Sequence, residues 1–429
     1  MRHVRLLTGC ALACGLLFAA EGDSKIKIRN LKDAAKQGSA GIGRIMPLLT
    51  DEDVEVRREA ARALVEVGTQ RSLEGLVVAC HDKDAEVQIR ATDGLVNFYL
   101  PGYVKHGFSA SLKRAGNAVS GHWLEPSNDE AVDPDTPLRP EIVKALTELL
   151  ENGASIDARA NAARALGVLR ARAAVPVLSA GLKSKDSRLM YESLIALQKI
   201  RDRAAGARVG FLVRDLDPKV QMAAIETAGL LCAEDAVPDL GRVLEGEPAK
   251  KVRRATVLAL ARIATPATRP AMKALLNDKD DDVRASAAEG LGRLAQSEDL
   301  PALESLWASE TRASARLSLA FALTRAGHGA TGDLSPLGYL VNSLNQKAWR
   351  GVALPYLSEL ALNAEARRAI LSAAEHASTS EEKMGLAQAL SECHSADAVP
   401  LLERLAKDED PAVEREALRA LRILKGTLQ

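Results

Sequence analysis

Apolar residues recur at i, i+4, i+5 and i+8 in one segment after another along the chain. "VRREAARALVEV" begins at Val56, "ARANAARALGVL" at Ala158, "VRASAAEGLGRL" at Val283 and "VEREALRALRIL" at Val413. This spacing is that of one helix face. Aligned on the opening apolar residue, the copies start at Val56, Val87, Ala158, Leu189, Val220, Val252, Val283, Ala315 and Val413. The steps are 31, 71, 31, 31, 32, 31, 32 and 98 residues, and degenerate copies near Ala348 and Glu382 fit inside the last gap. A period near 31 residues predicts a two-helix repeat.

Each unit has the same grammar. A first helix reads "AVPVLSAGLKS" from Ala174, "AVPDLGRVLEG" from Ala236 or "AVPLLERLAKD" from Ala398. Pro176, Pro238 and Pro400 fall in its first turn, where the missing N–H costs nothing. A polar turn follows. An Asp then stands three residues before the aligned position, at Asp53, Asp84, Asp186, Asp217, Asp280 and Asp410, as an N-cap should. Pro218 and Pro411 directly follow their caps. In the second helix, Ala60, Ala61 and Ala63, or Ala287, Ala288 and Gly290, make a stripe of small residues that lets helices approach closely. Leu64, Leu166, Leu260, Leu291 and Leu421 fill the seam.

Composition agrees with this picture. Aromatic residues are only 3% of the chain against 47% hydrophobic, so the core must be built from Ala, Leu and Val. One helix pair cannot bury its own apolar face, and stacked pairs share a continuous core. The expected fold is all-α: an α-α superhelix of about eleven two-helix repeats, with one long insertion after the second.

The motif D-x-x-[VA]-R-x-x-A-A-x-[AG]-L is almost intact at Asp53–Leu64 and Asp280–Leu291. It resembles HEAT repeats, in particular the short bacterial phycobilin-lyase-like type, over most of residues 39–425. The resemblance implies an α-solenoid in which the Asp and the following Arg form a ladder between adjacent units. Asp53 with Arg57 and Asp280 with Arg284 match that pattern, and Arg159, Arg253 and Arg316 are equivalent. The row reads as structural; the other reading is a ligand-facing basic stripe. The resemblance says little about function, because the family includes scaffolds, adaptors and a few enzymes.

The register breaks between Val87 and Ala158, where about 40 extra residues, 99–139, are inserted. With Phe98, the first half of this insertion holds Tyr99, Tyr103, Phe108 and Trp123. These are five of the twelve aromatics that follow residue 22. Lys105, His106, Lys113, Arg114 and His122 are interleaved with them. Aromatic and cationic side chains together make good contact surface. Tyr103, Lys105, His106, Phe108, Lys113, Arg114 and Trp123 are therefore the candidate binding residues. A flap packed on the solenoid flank, or a degenerate extra repeat, is the competing reading. The acidic second half, with Asp129, Glu130, Asp133 and Asp135, lacks the glycine and terminal Glu of a calcium loop and reads as a solvated linker. A second break lies between Arg325 and Ala364. "GHGATG" from Gly327 follows a helix rather than a strand, so the dinucleotide reading fails its context. Pro355 predicts a kinked or shifted rung.

The chain opens with "MRHVR" and a 15-residue apolar run, "LLTGCALACGLLFAA", followed by Ala20-Glu21-Gly22. This is the pattern of a signal peptide over residues 1–22, too short to span a bilayer comfortably. "LTGC" resembles a lipobox with Cys10 as the lipidated residue, but the apolar run lies mostly after Cys10. A periplasmic or secreted location follows as the expectation. Cys80, Cys232 and Cys393 remain, and the repeat spacing keeps Cys80 and Cys232 too far apart to bridge, so free buried thiols are expected.

No H-E-x-x-H, G-x-S-x-G, P-loop or C-x-x-C occurs, and the seven histidines are scattered. No His is followed by Glu, as the di-iron site of the similar deoxyhypusine hydroxylases requires. Phycobilin lyases share the repeat style but handle a cytoplasmic pigment protein. The net charge is zero, and −1 without residues 1–22, which does not favour nucleic acid. The reading is a non-enzymatic scaffold or adaptor for a protein or peptide partner, without metal, cofactor, nucleic acid or membrane span. The alternative is a phycobilin-lyase-like protein acting as lyase or enzyme accessory.

Overall fold

The computed structural model describes residues 23–103, 131–134, 136–327, 332 and 334–428. All regular structure among them is helical. The chain divides into two compact units, with the division after Thr227.

In the first unit, α1 spans residues 23–35. Short 3-10 and α turns from Gly38 to Thr50 then pair with α2 (Val54–Val67). The next pairs are α3 (Ser72–Ala79) with α4 (Ala85–Tyr99), α5 (Pro140–Asn152) with α6 (Ile156–Val168), and α7 (Val175–Gly181) with α8 (Ser187–Ile200). In the fifth rung, 3-10 turns between Arg203 and Leu212 replace the first helix, and α9 (Pro218–Leu230) follows. The second helices pack in chain order, α2 on α4, α4 on α6 and α6 on α8.

The second unit contains α10 (Val237–Glu245) with α11 (Lys250–Ile263), α12 (Arg269–Leu275) with α13 (Asp281–Leu294), and α14 (Leu300–Ser309) with α15 (Ala313–Arg325). These are followed by α16 (Pro336–Ser343) with α17 (Lys347–Ala361), α18 (Ala364–Glu375) with α19 (Ser380–Leu390), and α20 (Val399–Leu405) with α21 (Pro411–Thr427). Here too each second helix packs on the next, from α11 to α21.

The small residues of the repeat explain this stacking. A Cβ on Gly167 of α6 would lie 2.5 Å from the Cα of Ala196 on α8, and one on Gly292 of α13 would lie 2.6 Å from the Cα of Ala322 on α15. Neighbouring second helices approach backbone to backbone at these points, so a glycine on one helix faces an alanine on the next and even one more methyl would crowd the contact. Buried Leu, Val and Ile fill the remainder, and Phe321 is the largest fully buried side chain among the described residues.

The caps start the second helices. Asp53 accepts from Glu55 N, Asp84 from Val87 N, Asp186 from Arg188 N and Leu189 N, Asp280 from Asp282 N, and Asp410 from Ala412 N. Asp217 accepts from Lys219 N at 2.8 Å. Several second helices end on a left-handed residue: Gly68, but also Arg201, Ala264 and Ala295.

Two expectations meet the structure at particular residues. Helix α17 is unbroken through Pro355. The proline is exposed, and Gly351, whose carbonyl its ring faces one turn back, is exposed and has open space around it. The lost hydrogen bond thus lies on an exposed side of the helix, where solvent can reach it. All three described cysteines are free, with Cys80 and Cys393 buried but Cys232 only half-buried. Cys232 follows α9 in a left-handed turn, and its thiol lies 3.7 Å from the Arg262 carbonyl. "GHGATG" lies largely outside the described residues.

Candidate functional site

The insertion is closed at its base. Tyr99, the last residue of α4, accepts a hydrogen bond through its hydroxyl from the backbone N–H of Arg139, the residue before α5, at 3.1 Å. Phe98 meets the Tyr99 ring edge-on at 5.2 Å between centroids. The outgoing chain turns at Gly102, whose N–H donates to Asn97 Oδ1, and at Tyr103, whose N–H donates to the Leu100 carbonyl. On the return, buried Val132 donates its N–H to the Val168 carbonyl at the end of α6, at 2.9 Å. Of the candidate binding residues, Tyr103 sits half-buried at this base. Lys105, His106, Phe108, Lys113, Arg114 and Trp123 lie outside the described residues, as do Asp129, Glu130 and Asp135.

A buried polar cluster runs across the three second helices beside these roots. Asn161 of α6 donates to Asp93 Oδ1 of α4 at 3.0 Å. One turn further along α6, Arg164 grips Glu192 of α8 through two parallel hydrogen bonds, Nε to Oε2 at 3.0 Å and Nη2 to Oε1. Arg164 is 9% exposed and Glu192 1%. Burial pushes the Arg164 guanidinium down, but Glu192, with Tyr103 and Asp93, more than reverses this and holds it above its ordinary value. A buried charge pair of this kind is held by its own geometry, since separating the partners would strand a charge. Nothing in single-repeat periodicity marked these residues. The usable signal is an arginine and a glutamate at inward helix positions of adjacent copies.

The ladder residues occupy the turns. Arg57 is 4% exposed; its Nε donates to Asp82 at 2.7 Å and its Nη1 to the carbonyl of Asp51 at 2.9 Å. Arg58 donates to the next cap, Asp84, at 2.9 and 2.8 Å. The same pairing returns in the second unit, where Arg253 reaches Asp278 at 2.6 Å and Arg254 reaches Asp280 at 2.9 Å. Arg284 donates to Glu310 at 2.7 Å and to its own turn at the Asp278 carbonyl. Asp82 and Asp278 each stand two residues before a cap and accept that cap's N–H, at 2.7 and 2.9 Å. The sequence reading missed this first Asp, although Asp51, Asp82, Asp215, Asp278 and Asp408 recur five residues before the aligned position. Arg159 donates to the Leu150 carbonyl at 2.8 Å. At Arg316 aromatic rings take the place of an acid. The Arg316 guanidinium lies 4.1 Å from the Trp307 ring and 5.1 Å from Tyr339.

In the second unit a buried network joins α13, α15 and α17. Tyr356 donates its hydroxyl to Glu289 at 2.7 Å and shares a hydrogen bond with Ser318 at 2.9 Å, while its ring stacks on Phe321. Arg293 bridges Glu289 and Glu359. Burial, then the Glu289 charge, pushes the Tyr356 phenol up. The carboxylates of Asp280, Asp281 and Asp282 approach one another, but Asp280 caps α13 and pairs with Arg254 and Lys250, and Asp282 pairs with Arg254. Asp280 and Asp282 are thus engaged by arginine and lysine.

The family model for HEAT repeats matches residues 19–102, 143–209, 207–267, 237–324 and 367–428. The chain belongs to the HEAT-repeat family. It is similar in fold to an engineered protein, at 21% identity and a TM-score of 0.44, over 90% of this chain and 98% of that one. It is also similar to importin beta, at 14% identity and a TM-score of 0.45, over 92% of this chain and 60% of that one. A further similar structure is the complex of CpcE and CpcF of phycocyanin lyase from Nostoc sp. PCC7120. There the identity is 20% and the TM-score 0.33, over 62% of this chain and 92% of that one. No curated protein matches the chain.

Proposed function

We propose that this HEAT-repeat protein is a non-enzymatic scaffold for a protein or peptide partner. In this reading it is exported to the bacterial envelope, and its partner seat lies where the 99–139 insertion is rooted on α4 and α6. One observation carries the reading: polar side chains from three successive second helices, Asp93, Asn161, Arg164 and Glu192, are locked together beside the closed base of that insertion. The insertion leaves and returns at fixed ends, Tyr99 and Arg139, which limits the freedom that its residues would lose on binding. The aromatic and cationic composition of the insertion suits a contact surface. Export is supported by the basic start, the apolar run and the small-x-small site at Ala20–Gly22.

The test is affinity capture from an envelope fraction with the full chain and with residues 104–130 replaced by a short Gly-Ser turn. The Tyr99–Arg139 bond lets the variant keep its fold. Loss of a stoichiometric partner with an unchanged melting curve supports the proposal. Equal capture by both proteins contradicts it.

A further inference from the structure

In a regular repeat array each rung contacts only its neighbours in chain order. One pair of links in the second unit departs from that rule. Tyr356 of α17 donates its hydroxyl to Glu289 of α13 at 2.7 Å. Arg293 of α13 donates from Nε and Nη2 to Glu359 of α17, at 2.9 and 2.8 Å. The whole rung of α14 and α15 stands between these two helices in the chain. The links are four residues apart on α13 and three on α17, so they join the two helices along a full turn.

Helix α15 lies beneath the links. It packs on α13, α14 and α16, and it turns Ser318 and Phe321 toward α17. The Ser318 hydroxyl is 2.9 Å from that of Tyr356, and the Phe321 ring stacks on the Tyr356 ring with the Arg293 guanidinium 5.7 Å from its centroid. Every residue from Leu317 to Thr324 is buried in consequence. A tyrosine hydroxyl meets a glutamate carboxylate only when the two backbones lie within about 14 Å. Two ordinary steps between packed helices would set α13 and α17 roughly 16–20 Å apart.

We infer that α13 and α17 form a clasp that bends the second unit at α15 and holds the rungs from α12 to α17 at one closed curvature. The clasp takes the inner face of α15 out of the surface that the unit offers a partner. Its opening bares Phe321, Tyr356 and Arg293, side chains of the kinds that suit an interface core. The outer link is built to part: Arg293 and Glu359 are half-buried, so water reaches both when they separate. The inference does not rest on the partner-binding proposal, which concerns the first unit.

The experiment is pulsed electron spin resonance on the full chain, with spin-labelled p-acetylphenylalanine at Gln296 and Leu362. These exposed sites stand three residues beyond Arg293 and Glu359, and the labelling leaves the cysteines untouched. The wild-type chain should give one narrow distance. Tyr356→Phe with Glu359→Gln keeps the stacked ring and cuts both links, and the distance should lengthen by roughly 2–6 Å, toward two ordinary steps. Glu359→Gln alone should broaden the distribution. Glu289 keeps Arg293 as a partner in both variants, so neither strands a buried charge. Lys383→Ala removes the 2.7 Å contact with Asp408 elsewhere in the same unit. It should lower the melting temperature without moving the distance. A distance unchanged from wild type in both clasp variants, with only a lower melting temperature, overturns the inference and leaves the links as packing alone. A broad wild-type distribution, or an equal lengthening in Lys383→Ala, overturns it too.

Discussion

Arg57 reaches across to Asp82, two residues before the next helix cap, and not to the cap Asp84 itself. Its Nε lies 2.7 Å from Asp82 Oδ2, while Arg58 takes Asp84. Two consecutive arginines on one rung thus hold two acids on the next, and the arrangement returns at Arg253 and Arg254 with Asp278 and Asp280. The first arginine also satisfies a carbonyl of its own turn, at Asp51, and so ties the turn of its own rung to the equivalent turn of the next.

Removing Asp82 should be costly. Both side chains of the pair are nearly buried, 5% and 8% exposed, so Asp82→Ala leaves an uncompensated guanidinium and frees the Asp84 N–H. The expected loss is about 3 kcal/mol, the lower end for breaking a buried pair. Urea denaturation of Asp82→Ala, Arg57→Ala and the double variant checks it. The double variant should lose less than the sum of the singles.

Acid should loosen the same ladder. Hydrogen bonds from Arg58, Arg253 and Lys383 hold the carboxyls of Asp84, Asp278 and Asp408 below the ordinary aspartate value of 3.8. Folded values below unfolded ones mean that this stability is fully present above pH 3.8 and is lost as pH falls from there toward the depressed values. Melting temperature followed from pH 6 to pH 3 should drop below about pH 4. Lys383→Ala should show a shallower drop. A melting temperature that rises on acidification would refute the sign.

Close helix approach makes a sharp glycine prediction. Gly167→Ala places a methyl 2.5 Å from the Ala196 backbone and should cost about 1–3 kcal/mol through forced helix separation. Gly241→Ala, in helix α10 with nothing within 4 Å, should be neutral or stabilising by up to about 1 kcal/mol. Thermal melts of the two variants should move in opposite directions or differ by several degrees.

A left-handed alanine makes the converse prediction. Ala295 ends α13 at φ +49°, a conformation that costs a residue with a Cβ about 1 kcal/mol. Ala295→Gly should raise stability by about 0.5 kcal/mol, after the added chain entropy of glycine is subtracted. Denaturant midpoints report it, and a lowered midpoint would contradict the assignment.

The repeating elements were legible because each is local. Asp53 and Asp280 announce helix starts from three residues away, and the Ala-Ala-x-Gly stripe announces helix contact. The partner of Arg57 was not legible, because Asp82 is 25 residues distant and looked like one polar turn residue among others. Its recurrence at Asp51, Asp82, Asp215, Asp278 and Asp408, two residues before five of the six Asp caps, was the missed signal. The link from Glu289 to Tyr356 spans 67 residues and depends on the register of a degenerate repeat, which periodicity does not supply. Arg164 and Glu192 look like ordinary charged helix residues until adjacent rungs are superposed, and only then do they meet. The insertion stood out by composition, but its closed base, from the Tyr99 hydroxyl to the Arg139 backbone, is a tertiary fact.

The proposed scaffold role is tested most directly by Trp123→Ala, measured both for affinity toward the captured envelope partner and for melting temperature. Binding through the insertion predicts an affinity loss above about 2 kcal/mol, the usual contribution of an interface Trp, with an unchanged melting temperature. A lowered melting temperature with unaltered affinity per folded molecule would contradict the binding role and make Trp123 part of the protein's own packing.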